Sequence, residues 1–237
     1  MAWEYVLEGI KQAIHLIITA NPDVIEITLR SIRVSGMATL MAALWSFPIG
    51  IAIGMYNFRG KNILKGFFNG LLGIPTVVLG LILYLLLVPS GPLGFLRLIY
   101  TEMGISLGQS LLITPIMISF IANSIEVVEK DIRELAITLG AGKLEASLAV
   151  MREAISGILL SVIASFNRAI AELGIAIMIG GNIFVKGSAL NTRVLTTAMQ
   201  MYTARGEIDM ALALGIILLS IVFAVSTISN IIQSRLT

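Results

Sequence analysis

Long stretches of this chain carry no charge at all: Val34 to Tyr56, Gly66 to Leu96, Met103 to Ile125 and Met210 to Ser234. A helix crosses a bilayer in about 20 apolar residues, because roughly 30 Å of hydrocarbon is covered at about 1.5 Å per residue. Each run is long enough to cross, and the second has room for a turn at Pro89-Ser90-Gly91-Pro92. Another apolar segment extends from Ala154 to about Val185, interrupted by Arg168 and Glu172. The runs are unbroken rather than alternating, which excludes the strands of a membrane barrel. The expected fold is an all-α integral membrane protein, a single domain over residues 1–237, with five spans near 27–56, 66–89, 103–127, 154–181 and 208–234. Composition agrees, since a chain 57% hydrophobic and 13% charged is too apolar for a soluble domain. A net charge of +2 gives no reason to expect nucleic acid, and the absence of cysteine removes disulfides, thiolate metal sites and cysteine nucleophiles.

The N-terminal segment, residues 1–20, has another pattern. Trp3, Val6, Leu7, Ile10, Ile14, Ile17 and Ile18 fall on one helical face, and Glu4, Glu8, Lys11, Gln12 and His15 on the other. This predicts an amphipathic helix lying on the membrane surface. Glu4 and Glu8, with no small-residue cleavage site after them, argue against a signal peptide. Asn21-Pro22-Asp23 breaks that helix, with Asp23 and Glu26 spaced to cap the next. A short sixth span in this region also fits the sequence. The chain stops at Thr237 just after the last span, so no appended domain is expected. The short loop Arg59 to Lys65 carries three cations and no acid, which favours placing it inside the cell. Over all connections the cations are almost evenly divided: Arg59, Lys61, Lys65, Lys130, Arg133, Lys143, Arg152 and Arg235 fall on that side, and Lys11, Arg30, Arg33, Arg97, Lys186, Arg193 and Arg205 on the other.

Charge concentrates between Glu126 and Glu153, at Glu126, Glu129, Lys130, Asp131, Arg133, Glu134, Lys143, Glu145, Arg152 and Glu153. Periodicity allows two readings: a solvated connector, or a polar helix at about 130–142 whose small surface at Leu135, Ala136, Leu139 and Gly140 accepts another protein. The run Glu134-Leu135-Ala136-Ile137-Thr138-Leu139-Gly140-Ala141-Gly142 resembles the EAA motif of the membrane subunits of ABC importers. Glu134, Ala136 and Gly140 match that motif, while Leu135 replaces its first alanine. The Leu-Pro usual after the motif is absent, and Met151-Arg152-Glu153-Ala154 occupies its place. Further segments, Gly73-Ile74-Pro75-Thr76-Val77-Val78-Leu79-Gly80, Ser90-Gly91-Pro92-Leu93-Gly94, Arg168 to Gly174, Gly180-Gly181-Asn182-Ile183 and Thr192 to Ala198, are similar to the tungstate branch of the sulfate/molybdate/tungstate permeases. That resemblance covers nearly the whole chain.

The resemblance implies a type I ABC importer transmembrane domain that moves an oxyanion inward by alternating access, tungstate first, with molybdate or sulfate as the alternative. It implies a homodimer of this chain in the cell membrane, two separate ATP-binding subunits holding ATP and Mg, and an extracytoplasmic binding protein. Glu134, Leu135, Ala136, Leu139, Gly140, Ala141 and Gly142 would then be the coupling segment, cytoplasmic together with the C-terminus. The chain has no Gly-x-x-x-x-Gly-Lys-Ser/Thr loop, so it does not bind ATP in the P-loop manner. No enzyme chemistry, cofactor or metal site is expected in it; the single histidine, His15, reads as a surface residue.

Arg168 and Glu172, at i and i+4, read as the charges well inside a span. An intramembrane arginine costs about 2.5 to 3.5 kcal/mol on insertion scales and therefore needs a partner. Two readings stand: Arg168 lines an anion route with Glu172 tempering its charge, or the two form a structural pair. An anion route needs weak, replaceable donors. Thr28, Ser31, Ser35 and Thr39 on one helix face, and Thr192, Thr196 and Thr197, suit that purpose, although such hydroxyls also serve helix packing and bond to their own backbone. Pro48, Pro75 and Pro115 fall in the first three spans and can bend them. A stand-alone anion channel or carrier accounts for Arg168 but leaves the EAA-like segment without a purpose and shows no internal repeat. A non-transporting scaffold explains neither feature.

Overall fold

The computed structural model describes residues 2–19, 21–185 and 191–234. Lys186 and Arg235, assigned above to opposite sides of the membrane, lie outside them. Ten α-helices occur among the described residues: α1 (Ala2–Ile18), α2 (Pro22–Met55), α3 (Lys61–Leu71), α4 (Thr76–Leu87), α5 (Glu102–Thr138), α6 (Lys143–Glu153), α7 (Ile155–Ile170), α8 (Gly174–Gly180), α9 (Leu195–Ala204) and α10 (Ile208–Gln233). Of these, α2, α5 and α10 are long and apolar enough to cross a bilayer singly. Two bent pairs meet the same measure together, α3 with α4 at 95° and α6 with α7 at 52°. That makes three single-helix spans, or five if each bent pair counts as one. The stretch expected as one span over 154–181 is α7, a break at 171–173, and the short α8.

Helix ends follow local chemistry. Asn21, not Asp23, caps α2: its Oδ1 accepts from the Asp23 and Val24 amides at 3.1 and 3.3 Å, with Pro22 in the first turn where a missing N–H costs nothing. Thr101 caps α5 by accepting from the Gly104 amide at 3.0 Å. Of the three prolines, only Pro75 stands at a helix break, preceding α4 at the sharp bend; α2 continues through Pro48 and α5 through Pro115.

The core is the pairing of α2 with α5. Along α2 every fourth residue from Val34, namely Ala38, Ala42, Ser46, Gly50 and Gly54, is buried. Along α5 the buried ridge is larger: Ile105, Gln109, Ile113, Met117, Ile121 and Ile125. Contacts advance together on both helices. Ser106 donates to the Val34 carbonyl at 3.0 Å, Trp45 donates to Thr114 Oγ1 at 2.7 Å, Gly50 packs on Ile121, and Gly54 packs on Ile125. The two helices are therefore parallel, with a small-residue groove on one holding a branched ridge on the other, the packing by which helices associate where lipid provides no hydrophobic drive.

The remaining helices are arranged around this pair. α7 and α8 run antiparallel to α5, since Gly157 meets Ser124 and, farther along, Gly108 meets Ile175 and Gly104 meets Ile179. α10 is antiparallel to α7: Ile170 clusters with Leu214, Ile217 and Leu218, and the earlier Asn167 donates to the later Ser226 at 2.9 Å. The C-terminal ends of α5 and α10 thus lie on the same side of the bundle. α1 packs on α10 through a third face that its two-sided pattern did not show: Gly9, Ala13 and Leu16 meet Leu212 and Ala213. Its apolar stripe from Trp3 to Ile18 remains exposed.

A methyl group built on Gly54 would lie 2.7 Å from the Ile125 Cβ, while at Gly36 it would meet nothing within 4 Å. Gly54→Ala should therefore destabilise the bundle by about 1–3 kcal/mol through overpacking. Gly36→Ala should be neutral or stabilising by up to about 1 kcal/mol. Thermal unfolding of the purified variants in detergent checks this, and equal melting temperatures would contradict the groove packing.

Candidate functional site

The EAA-like segment is a helical hairpin, not the separate helix suggested over 130–142. α5 runs unbroken to Thr138, reverses, and returns as α6. Its C-terminus closes with the Ala141 amide on the Ala136 carbonyl and the Gly140 amide on the Ile137 carbonyl, both at 2.9 Å. This paired closure is a Schellman motif, and it places Gly140 where the backbone must turn left-handed; its φ is +90°. The motif glycine thus has a steric cause, since any Cβ there is strained. Glu145 then fixes the start of α6 by accepting from the Gly142 amide at 2.7 Å. Around the turn Leu135, Ile137, Leu139, Leu144 and Leu148 are all exposed, Leu139 at 79%. Glu134 and Lys143 are exposed beside them. The hairpin tip is an aliphatic surface edged with charge, uncovered among the described residues.

Ionic contacts hold the root of the hairpin. Lys61 and Lys65 of α3 each bind a different oxygen of Glu126, at 2.8 and 2.5 Å. Arg133 pairs with Glu129 one turn earlier on α5.

Arg168 and Glu172 do meet, with Nη1 2.6 Å from Oε2, but their surroundings differ. Glu172 is 3% exposed and Arg168 38%. The other Glu172 oxygen accepts from the Gly174 amide at 2.9 Å and the Ile175 amide at 3.4 Å. It therefore caps α8 across the break in the chain, and its carbonyl accepts from Thr196 Oγ1 at 2.9 Å. One residue fastens α7, α8 and α9 together.

The expected hydroxyl clusters are largely engaged within the chain. Ser31 donates to the Ile27 carbonyl and accepts from the Leu195 amide, both at 2.8 Å. Thr39 donates to the Ser35 carbonyl, and Ser35 is itself buried. Thr192 bonds Gly180 and Ile183, and Thr197 bonds Val194 at both its carbonyl and its amide. Thr28 Oγ1 is buried and has no hydrogen-bond partner among the described residues. Beside Thr196, Gln200 and Thr203 line a groove of about 560 Å³ between the 171–173 break, α9 and α10, together with Ala171, Leu173, Met199, Ala204 and Leu218. Gln200 and Thr203 were missed from sequence; their i, i+4, i+7 spacing from Thr196 was the available signal.

Arg168, near the end of α7, is not the sole charge held within an apolar helix among the described residues. Arg30 in α2 is only 5% exposed. It bonds Glu26 one turn away, Glu102 at 3.0 Å and the Arg193 carbonyl at 3.2 Å, while Arg33 also reaches Glu102. Asn191 donates to Glu26 at 2.9 Å, and Arg193 sits 4.9 Å from the Phe184 ring centre and bonds Asn182. At the bundle end opposite the hairpin this network joins α2, α5 and the segment leading into α9. The Glu26-to-Arg30 order at i, i+4 was its sequence signal.

With this geometry in view, residues 46–237 match the family described as binding-protein-dependent transport system inner membrane component. The tungstate uptake system permease protein TupB of Peptoclostridium acidaminophilum is 36% identical over 232 residues, covering 98% of this chain and 100% of that protein. TupB of Campylobacter jejuni is 33% identical, with 96% and 93% covered. The molybdenum transport system permease protein ModB of Haemophilus influenzae is more distant, at 28% identity with 73% and 78% covered. Among solved structures, a chain of the inward-facing MetNI methionine ABC transporter has the same fold, with a TM-score of 0.69 at 12% identity, covering 90% of this chain and 96% of that one.

The Gly140 geometry can be tested independently of any function. Gly140→Ala should weaken the hairpin turn by about 1–2 kcal/mol, the cost of a left-handed residue with a side chain. Gly140→Asn should cost less, because asparagine tolerates that region. Hydrogen exchange over residues 134–146 should accelerate more in the alanine variant, and the reverse ranking would contradict the turn assignment.

Proposed function

From the premise that this chain belongs to the binding-protein-dependent transport system inner membrane component family, we propose that it is the permease subunit of an ABC importer that carries tungstate into the cytoplasm. The near-full-length similarity to two tungstate permeases supports tungstate ahead of molybdate or sulfate. Two copies of the chain form the membrane unit, two ATP-binding subunits supply the energy, and an extracytoplasmic binding protein delivers the anion. The hairpin of Glu134, Leu135, Ala136, Leu139, Gly140, Ala141 and Gly142 is the docking element for the ATPase and faces the cytoplasm, as does the C-terminal end of α10.

One observation carries this reading. The segment that carries the EAA-like residues closes as a hydrogen-bonded two-helix tip with an exposed aliphatic surface, and such a surface rimmed by charge is suited to burial against another protein. In the route itself, Arg168, with Gln200 and Thr203, offers the anion replaceable donors, and Thr196, whose hydroxyl donates to the Glu172 carbonyl, lines the groove beside Gln200 and Thr203. Glu172 holds together the helices that present them, while Ser35, Thr39 and Thr197 stabilise their own helices. In this reading the whole bundle moves the anion by alternating access.

Reconstitution with the candidate ATPase and binding protein tests the function. ATP hydrolysis should rise when tungstate-loaded binding protein is added, and no stimulation by tungstate, molybdate or sulfate would overturn the substrate class. Leu139→Asp places a charge on the exposed tip without straining Gly140. It should reduce ATPase association by at least about tenfold, the loss expected for a charge buried in an interface, with the bundle still folded. Normal association would remove the docking role. Arg168→Gln should lower transport at unchanged folded yield, and normal transport would leave Arg168 a structural residue.

A further inference from the structure

Gly54 packs on Ile125, so α2 ends at Met55 beside the residue before Glu126. From there α5 continues to Thr138 without α2 beside it. That extension is roughly 18 Å long at about 1.5 Å per residue. A projecting helix passes a displacement of its tip to the bundle only if it does not flex at its root. Apolar packing at the root is supplied by Val128 and Ile132 on the cluster containing Met55, Ile125 and Val150. Such packing is non-directional and tolerates sliding.

Arg133 provides the directional contacts. Its guanidinium bonds Glu129 on α5, lies 3.4 Å from Ser147 Oγ on α6, and reaches to 3.9 Å from the Met55 sulfur at the end of α2. Three elements converge on one planar group, which is partly buried at 25% exposure. Partial burial strengthens the charged bonds relative to water, and the rigid fork fixes direction as well as distance. Glu126, held by Lys61 and Lys65, anchors the same root on the side of α3.

We propose that Arg133 is a positioning residue for energy coupling: it locks the α5–α6 hairpin to the end of α2, so that movement of the tip turns the parallel α2–α5 pair as one body. This rests on the docking role of the hairpin proposed above. Arg133 touches neither nucleotide nor anion. Its loss leaves the tip free to engage the ATPase while the root gives way, so that hydrolysis continues and less of it reaches the anion route.

The test is the amount of tungstate transported per ATP hydrolysed, in proteoliposomes containing this chain, its ATPase and the loaded binding protein. A fraction of misfolded permease removes transport and coupled hydrolysis together and leaves the ratio unchanged, so a merely structural effect does not move it. Arg133→Gln should lower the ratio by about tenfold, the shift that loss of one charged hydrogen bond produces in a two-state element, with ATPase association retained. Glu129→Gln, which removes the partner charge, should lower it in the same direction. Arg133→Lys, which keeps the charge without the fork, should fall between Arg133→Gln and the wild type. An unchanged ratio in Arg133→Gln overturns this inference alone. Failure of the wild-type chain to associate with any ATPase overturns the permease reading and this inference with it.

Discussion

The parallel contact of α2 with α5 is the constraint on which the other elements depend. In a bilayer, apolar side chains gain nothing by leaving lipid for one another, so association requires close approach and interlocking shape. Here the approach is made by Ala38, Ala42, Ser46, Gly50 and Gly54, and the shape by Ile113, Met117, Ile121 and Ile125. Two parallel helices need a long return path between them. The α3–α4 pair and the turns before Glu102 provide it, with the bend at Pro75. Because α2 ends before α5, the pair also creates the projecting lever on which the hairpin is carried.

Polar groups fix the ends of this framework. At one end Arg30 gathers Glu26, Glu102 and the Arg193 carbonyl, tying the approach to α9 onto the α2–α5 pair. In the middle Glu172 joins Arg168, the first amides of α8 and Thr196. At the other end Arg133 and Glu126 secure the hairpin. Each arrangement places a charge where neighbouring elements meet, which follows from the cost of leaving polar groups unsatisfied away from water. The broken helix at 171–173 is tolerated for that reason: Glu172 takes over the α8 amides that the missing turn leaves free.

Much of this was legible in the chain. Charge-free runs located the apolar helices, and the EAA-like segment located the hairpin, because helix length and a glycine at a forced left-handed turn are local requirements. Other features were not legible. The hydroxyls of Ser31, Thr39, Thr192 and Thr197 looked available to an anion and are occupied by backbone groups, since a serine in a helix looks the same whether it faces a route or its own carbonyl. α1 read as two-faced, yet Gly9 and Ala13 form its contact with α10; small residues carry no signal in a hydrophobicity pattern.

By itself the sequence determined the environment and the material: a membrane chain, all helical, with long charge-free runs and a charge-rich EAA-like segment. These follow from transfer energies and steric rules that act over one or two turns. Tertiary structure alone decided which charges are buried and on what, that Arg30 rather than only Arg168 is held within a long helix, that the EAA-like segment continues a core helix, and that Arg133 bridges three elements. Those outcomes depend on contacts between residues dozens of positions apart, and the register of α2 on α5 sets them by bringing Arg30 to Glu102 and Met55 to Arg133.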